Sequence, residues 1–379
     1  MTTTAGKMEI LGEAARYDVC LSSCFGGRSR DPVDPLHRWI YPASLPGGRT
    51  APILKILMEN ACSRACAYCA NRLGGISRPV RFVPDELARL FMDLVRRRRV
   101  HGLFLSSAIP IDANRTMQAM IETAEILRCR YRFRGYVHLK ILPDVRYDLV
   151  ERAVELASRV SINLEAPTER HLARIAGDKD FESGLVERMR WAGKLIRSGR
   201  GARSQTTQFI VGSSDETDRE IIGAANRLYG EVGLFRAYYS AFQPVPGTPM
   251  EGEPPVELNR EHRLYQADYL LRFYGFAFEE ITFDGDGSLS RDVDPKMRWA
   301  IASPDRFPVE VNTAEYEALL RVPGIGPKSA TRIVRERRKG KFHRLDEIRR
   351  TGAIVDRAAP FLLVDGRIEK RPVQMEFSF

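Results

Sequence analysis

The sequence predicts an α/β protein in which a parallel sheet is followed by a small all-α domain. Three observations carry that reading. Between Ala51 and Phe242 short apolar runs alternate with longer amphipathic segments, the pattern of strand–crossover–strand units with right-handed connections. After about Val311 the pattern gives way to short helical stretches around Pro323-Gly-Ile-Gly326. The chain is also 44% hydrophobic over 379 residues, enough to bury a core and to exclude disorder as its main state.

Taken in order, 1–50 reads as an N-terminal extension, irregular apart from a helix-like stretch at Lys7–Ala15. The strand candidates are Ala51–Met58, Gly102–Ser106, Arg134–Leu142, Val160–Leu164, Thr206–Val211 and Leu234–Phe242, each β-branched or aromatic enough for a buried strand. Helices are expected from Pro84, whose ring suits a first turn, and over Asn114–Arg128, Arg146–Ala157, Glu182–Ser198, Asp215–Tyr229 and Leu258–Tyr274. Six units are too few to close an eight-strand barrel. An open partial barrel and a doubly wound sheet both satisfy the periodicity, and in either the reactive site lies at the carboxyl ends of the strands. The expected divisions are the extension, a sheet domain at 51–275, a bridge at 276–310, a helical domain at 311–372 and a tail at 373–379.

Charge is uneven. From Arg321 onward there are 15 Lys/Arg against 7 Asp/Glu, so this end carries most of the net charge of +10. That asymmetry points to an anionic partner, most often nucleic acid, or else to a solvated basic surface. No run reaches the roughly 18 apolar residues of a membrane span, and Met1–Lys7 lacks the apolar core of a secretory signal, so a soluble, cytoplasmic protein is expected.

Six cysteines occur, which a reducing compartment keeps as thiols or metal ligands. Three of them form Cys62-x-x-x-Cys66-x-x-Cys69 in the loop after the first strand. Thiolates this close can cap three corners of an iron–sulfur cube and leave one iron open. Structural zinc prefers four protein ligands, and no fourth Cys or His lies near. Cys20, Cys24 and Cys129 are one short of a full auxiliary set and read as buried or free thiols.

This loop, with Tyr68 before its third cysteine, resembles the signature of the radical S-adenosylmethionine (SAM) enzymes, over roughly Ala51 to Phe242. The resemblance implies a partial (βα)6 TIM-like barrel. It also implies a 4Fe–4S cluster on Cys62, Cys66 and Cys69, and SAM bound to the open iron. Reductive cleavage of SAM would give a 5′-deoxyadenosyl radical that abstracts hydrogen from substrate, with electrons from an external donor. Where the family carries a Gly-Gly-Glu-like turn for the methionine amino group, this chain has Ser106-Ser107-Ala108. Asn163 and Glu165 match the polar ribose contacts, and Ile210 with Gly212 the adenine support; Tyr68 would pack near the adenine.

Val311 to Ala330 reads as a helix capped by Asn312 or Thr313, a tight turn, and a second helix opening at Pro327. It resembles the helix–hairpin–helix of DNA repair and uptake proteins, the alternative being a plain αα-hairpin. The resemblance implies that the amides of Gly324, Ile325 and Gly326, with Lys328, Ser329, Arg332 and Arg335, grip DNA phosphates without reading sequence. The segment Lys341 to Ile348 would complete the unit. Gln374–Phe379 resembles the peptide by which bacterial repair proteins dock on the sliding clamp.

As a whole the chain resembles a biotin-synthase-related branch of the radical SAM superfamily with a C-terminal helix–hairpin–helix. Members of that branch are described as DNA modification or repair proteins, associated with uracil-DNA-glycosylase-like proteins. The expected function is radical chemistry on DNA. The alternatives are an RNA-modifying relative and a redox-sensing DNA-binding protein that turns nothing over.

Overall fold

The sheet runs through seven strands in sequence order. The computed structural model describes residues 3–15, 39–44, 50–75 and 78–368. Cys20, Cys24 and the Gln374–Phe379 peptide lie outside the described residues. The six predicted strands are β2 (Thr50–Leu57), β3 (Gly102–Ser106), β4 (Tyr136–Lys140), β5 (Arg159–Ser161), β6 (Gln205–Val211) and β7 (Arg236–Ala241), all parallel. Each strand adds beside its predecessor without reversal. That order belongs to a curled half-barrel and not to a doubly wound sheet.

The extension departs from its expected irregularity. Ile40–Ser44 forms β1, antiparallel on β2 with Tyr41 opposite Ile53. Pro42 lies in this edge strand, where a missing N–H is tolerated. The first helix, α1 (Thr4–Ala15), buries Met8 and Leu11.

The crossover helices follow their sequence signals. In α2 (Pro84–Arg96), Pro84 opens the helix, Asp85 and Glu86 occupy the first turn and Arg96 the last, as the helix dipole favours. Its buried Leu87, Phe91 and Leu94 form one stripe. Asp112 caps α3 (Ala113–Glu125) by accepting the Arg115 N–H at 2.8 Å. The expected continuation to Arg128 widens into a π turn, Ile126–Arg130. That turn carries the Arg128 guanidinium to the carbonyls of Leu156, Phe133 and Gly135. A second π turn, Glu182–Val186, precedes α6 (Glu187–Arg197), behind α4 (Tyr147–Leu156) and α5 (Glu169–Ala176). The sequence reading lacked α5, which buries Leu172 and Ile175. Next come α7 (Asp218–Glu231) and α8 (Leu258–Phe273).

The chain divides into two compact units, Met1–Glu216 with Arg227–Glu261, and Thr217–Asn226 with His262–Phe379. The second contains α9 (Pro295–Ala302), α10 (Tyr316–Arg321), α11 (Pro327–Glu336), α12 (Leu345–Arg349) and α13 (Val355–Ala358). Its core gathers Leu319, Ile325, Ile333, Ile348 and Val355. The expected all-α character is modified by one parallel pairing, β8 (Val309–Glu310) with β9 (Leu362–Leu363). Helix α10 has Glu315 at its N-cap, later than the expected cap, and the Asn312 side chain is spent instead on the Phe342 backbone at 2.8 and 2.9 Å. Among the described residues no helix is long and apolar enough to cross a membrane.

Candidate functional site

The carboxyl ends of the sheet strands open into a cavity of about 590 Å³. Cys62, Cys66 and Cys69 all line it. Their loop leaves β2 and is pinned from several sides. The Ser63 N–H donates to the Ile109 carbonyl at 2.6 Å, and the Ala67 N–H to the Ile175 carbonyl at 2.7 Å. The Ala65 N–H meets the Asp178 carboxylate at 2.9 Å. Arg64 donates to the Asp144 carboxylate at 2.5 Å and to the Asp178 carbonyl. Without a cation to bind, burial pushes the Cys66 thiol up and the Cys69 thiol up to about 12. A bound iron reverses that balance by stabilising the thiolate.

Among the described residues no three His, Cys, Asp or Glu side chains converge on one point as around a single metal ion. Separate thiols ringing one cavity suit a larger inorganic body, and three of them fit a 4Fe–4S cluster with one iron left open. The hold on that loop can be tested through Arg64. Arg64→Ala removes the tie to Asp144 and Asp178, and iron retention against a chelator should fall about tenfold.

The other sequence-derived candidates mostly gather in the same cavity: Tyr68, Ser106, Ser107, Asn163, Glu165 and Ile210 line it. Glu165 is buried and holds a left-handed backbone conformation, φ +67°, uncommon for a residue with a side chain. Two hydrogen bonds to β6 enforce it: its N–H donates to the Gln208 carbonyl at 2.9 Å and its carbonyl accepts from Ile210 at 2.8 Å. The expected strand Val160–Leu164 stops at Ser161 in the same place, where the Leu164 N–H turns to the Thr207 hydroxyl at 3.0 Å.

Lys179, which the sequence reading missed, faces this carboxylate. Its Nζ lies 3.8 Å from Glu165 and donates to the Tyr68 hydroxyl at 3.2 Å. Burial alone would depress the Lys179 ammonium, but Glu165 and the neighbouring thiols reverse the effect and raise it. Burial and the Glu165 charge hold the Tyr68 phenol well above its ordinary value. Lys140, at the end of β4, also lines the cavity. A lysine closing a buried strand is a signal the sequence offered. Lys179 gave none, because it arrives from a loop after α5.

Gly212 does not line the cavity. Its φ of +77° and its packing require glycine: a Cβ there would stand 2.2 Å from Val256 Cγ2. Its N–H donates to the Glu216 carboxylate. Packing against Val256 is thus one reason for a glycine at this strand end.

In the C-terminal unit, α10 and α11 enclose the turn 323–326. Gly326 precedes α11 and Pro327 opens it, with no side chain capping the first-turn amides. Lys328 and Arg335 are exposed. The side chains of Ile325 and Ser329 are buried. Arg332 donates to the Thr351 carbonyl at 3.1 Å and Arg335 pairs with Glu336 at 3.0 Å. Arg337 is spent inside, on the carbonyls of Val311 and Ala314.

Lys296, buried on α9, donates to the Ile325 carbonyl at 2.5 Å and so braces the turn from below. Its ammonium is held down to about 7 by burial, which Asp294 opposes and Arg357 and Arg321 reinforce, against 10.5 for a free lysine. Between those values the unfolded chain binds the proton and the folded chain does not. Stability owed to this group therefore rises with pH across that window. Lys296→Met should remove that slope, read as the difference in melting temperature from wild type at about pH 6.5 and about pH 9.

Residues 56–228 match the family model described as radical SAM superfamily, and residues 306–358 the one described as helix-hairpin-helix motif. Among solved structures, the chain is similar to HydG, a maturase of the FeFe-hydrogenase (12% identity, TM-score 0.47), over 58% of this chain and 49% of that one. It is similar to methylornithine synthase PylB (14%, TM-score 0.46) over 56% and 60% of the two chains. It is also similar to the radical SAM methyltransferase TsrM from Kitasatospora setae (16%, TM-score 0.41) over 52% and 38%. The chain covers less than two thirds of the length of each of these structures. With its thiols at the strand ends and its glycine turn before α11, the chain carries a radical SAM domain, of the superfamily of enzymes that use a 4Fe–4S cluster and SAM, followed by a helix-hairpin-helix motif.

Proposed function

We propose that this protein is a radical SAM enzyme acting on nucleic acid, and that it modifies or repairs DNA. When bound, the cluster and SAM supply hydrogen-atom abstraction through a 5′-deoxyadenosyl radical. The chain's own residues bind, orient and shield. Cys62, Cys66 and Cys69 would hold the cluster, on a loop tied down through Ser63, Arg64 and Ala67. The hydroxyls and carbonyls of Ser106 and Ser107 take the amino group of SAM. Asn163 and Glu165 receive its ribose hydroxyls, with Glu165 fixed in place by Lys179 and by its backbone bonds to β6. Tyr68 and Ile210 flank the adenine. An external donor supplies the electron.

The observation that carries the enzymatic half is the meeting of three thiols and a rigidly presented carboxylate in one cavity. A cavity of about 590 Å³ has room for a small-molecule ligand, which a redox sensor would not need. The nucleic-acid half rests on the hairpin. Uncapped amides at the start of α11, with Lys328 beside them and Arg335 in the last turn of the same helix, suit phosphate and carry no base code.

The test is mass spectrometry of nucleosides after anaerobic incubation of DNA with the reconstituted protein, SAM and a reductant. A nucleoside that appears or disappears only with all components present supports the reading. Turnover of tRNA in competition, with DNA unchanged, would replace DNA by RNA. DNA affinity that follows cluster oxidation state while SAM goes unused would favour the sensor.

A further inference from the structure

At the carboxyl end of α8 the C-terminal unit exposes a pair of aromatic rings. Tyr269 and Phe273 stand four residues apart, which places them on one helix face. Their centroids are 4.5 Å apart with the planes tilted by 41°, and they are 51% and 48% exposed. The Arg272 guanidinium lies 5.7 Å and 4.7 Å from the two ring centroids. Arg272 is itself fixed by an ion pair of 2.6 Å with the fully buried Asp268. The rings are thus braced in place beside a largely buried ion pair.

The next residue, Tyr274, ties the pair to the hairpin. Its ring packs against the core of the helical module. A Cβ built on Gly326 would stand 3.1 Å from its hydroxyl. Lys296 Nζ, which braces the Ile325 carbonyl, lies 4.6 Å from the Tyr274 ring centroid. The exposed pair is therefore one residue removed from a side chain that touches the phosphate-binding turn.

We infer that Tyr269 and Phe273, braced by Arg272, form a stacking platform for an unpaired nucleobase of the DNA whose phosphates the hairpin engages. The inference rests on the hairpin reading above and narrows the substrate class to DNA with a base outside the duplex stack, such as a bulge, gap or single strand. Exposed aromatic faces held in place suit stacking by a nucleobase. Every base has such a face, so the platform tolerates any sequence, as the hairpin does. A paired base inside a blunt duplex cannot reach it.

The test uses the full chain and fluorescence anisotropy with a blunt duplex, the same duplex carrying a bulge, and the single strand. Tyr269→Ala/Phe273→Ala should weaken binding of the bulged and single-stranded probes about tenfold or more, and leave the blunt duplex unchanged. Tyr269→Leu/Phe273→Leu keeps apolar cover but no π face, and should behave alike. Equal losses on all probes, or none on any, overturn the platform and leave the hairpin reading standing. A wild-type chain that binds none of the probes overturns both.

Discussion

Cys66→Ser should leave the chain folded and unable to hold its iron. Cys66 is buried within the loop that Ser63, Ala67 and Arg64 tie to Ile109, to α5 and to Asp144. A serine fills nearly the same volume, and the melting temperature should stay close to wild type. The hydroxyl, however, does not ionise at neutral pH, whereas a thiol bound to iron loses its proton readily. Iron and acid-labile sulfide retained after anaerobic reconstitution should fall by about 100-fold or more, beyond the loss expected for a residue that only supports a ligand. A variant that keeps a full complement of iron would remove Cys66 from the ligand set.

Gly324→Ala should be the most damaging small substitution in the helical module. Gly324 has φ +83°, and a Cβ there would stand 2.4 Å from the Ile354 carbonyl oxygen and 3.2 Å from Arg357 Cβ. The backbone cannot move aside freely, because the Gly324 carbonyl accepts the Ile354 N–H at 2.9 Å. Left-handed strain of roughly 1–2 kcal/mol adds to the clash, for a total of about 2–4 kcal/mol. Gly326→Ala is the control. Its φ is −102°, and its Cβ would meet only the end of the Tyr274 side chain at 3.1 Å. Urea melts should show a large loss for Gly324→Ala and a small one for Gly326→Ala. Affinity for duplex DNA should fall in the same order, since turn geometry aims the amides of α11.

What could be read from the sequence was local, and what could not was brought together over distance. The cysteine spacing, the alternation from Ala51 to Phe242 and the turn before α11 are written in neighbouring residues, and the structure places them as expected. Strand β1 was hidden because Ile40–Ser44 contains a proline and is short, a pattern that reads as loop until β2 supplies its partner. Lys179 was invisible because only the fold carries its loop to Glu165. Charge counting saw how many cations the C-terminal region has but not where they point. Arg337 and one arm of Arg332 turned out to be spent on backbone carbonyls within the module. The packing of Gly212 against Val256 was likewise beyond the sequence, since its neighbour arrives from 44 residues further along the chain.

The claim on which the rest depends is that the cavity at the strand ends binds a cluster with one open iron and there cleaves SAM. The most direct measurement is formation of 5′-deoxyadenosine by the anaerobically reconstituted chain with SAM and a strong reductant, run beside Cys62→Ala/Cys66→Ala/Cys69→Ala. The account predicts 5′-deoxyadenosine from the wild type and none above background from the variant. A fully loaded wild type that yields none, or equal yields from both proteins, would contradict it.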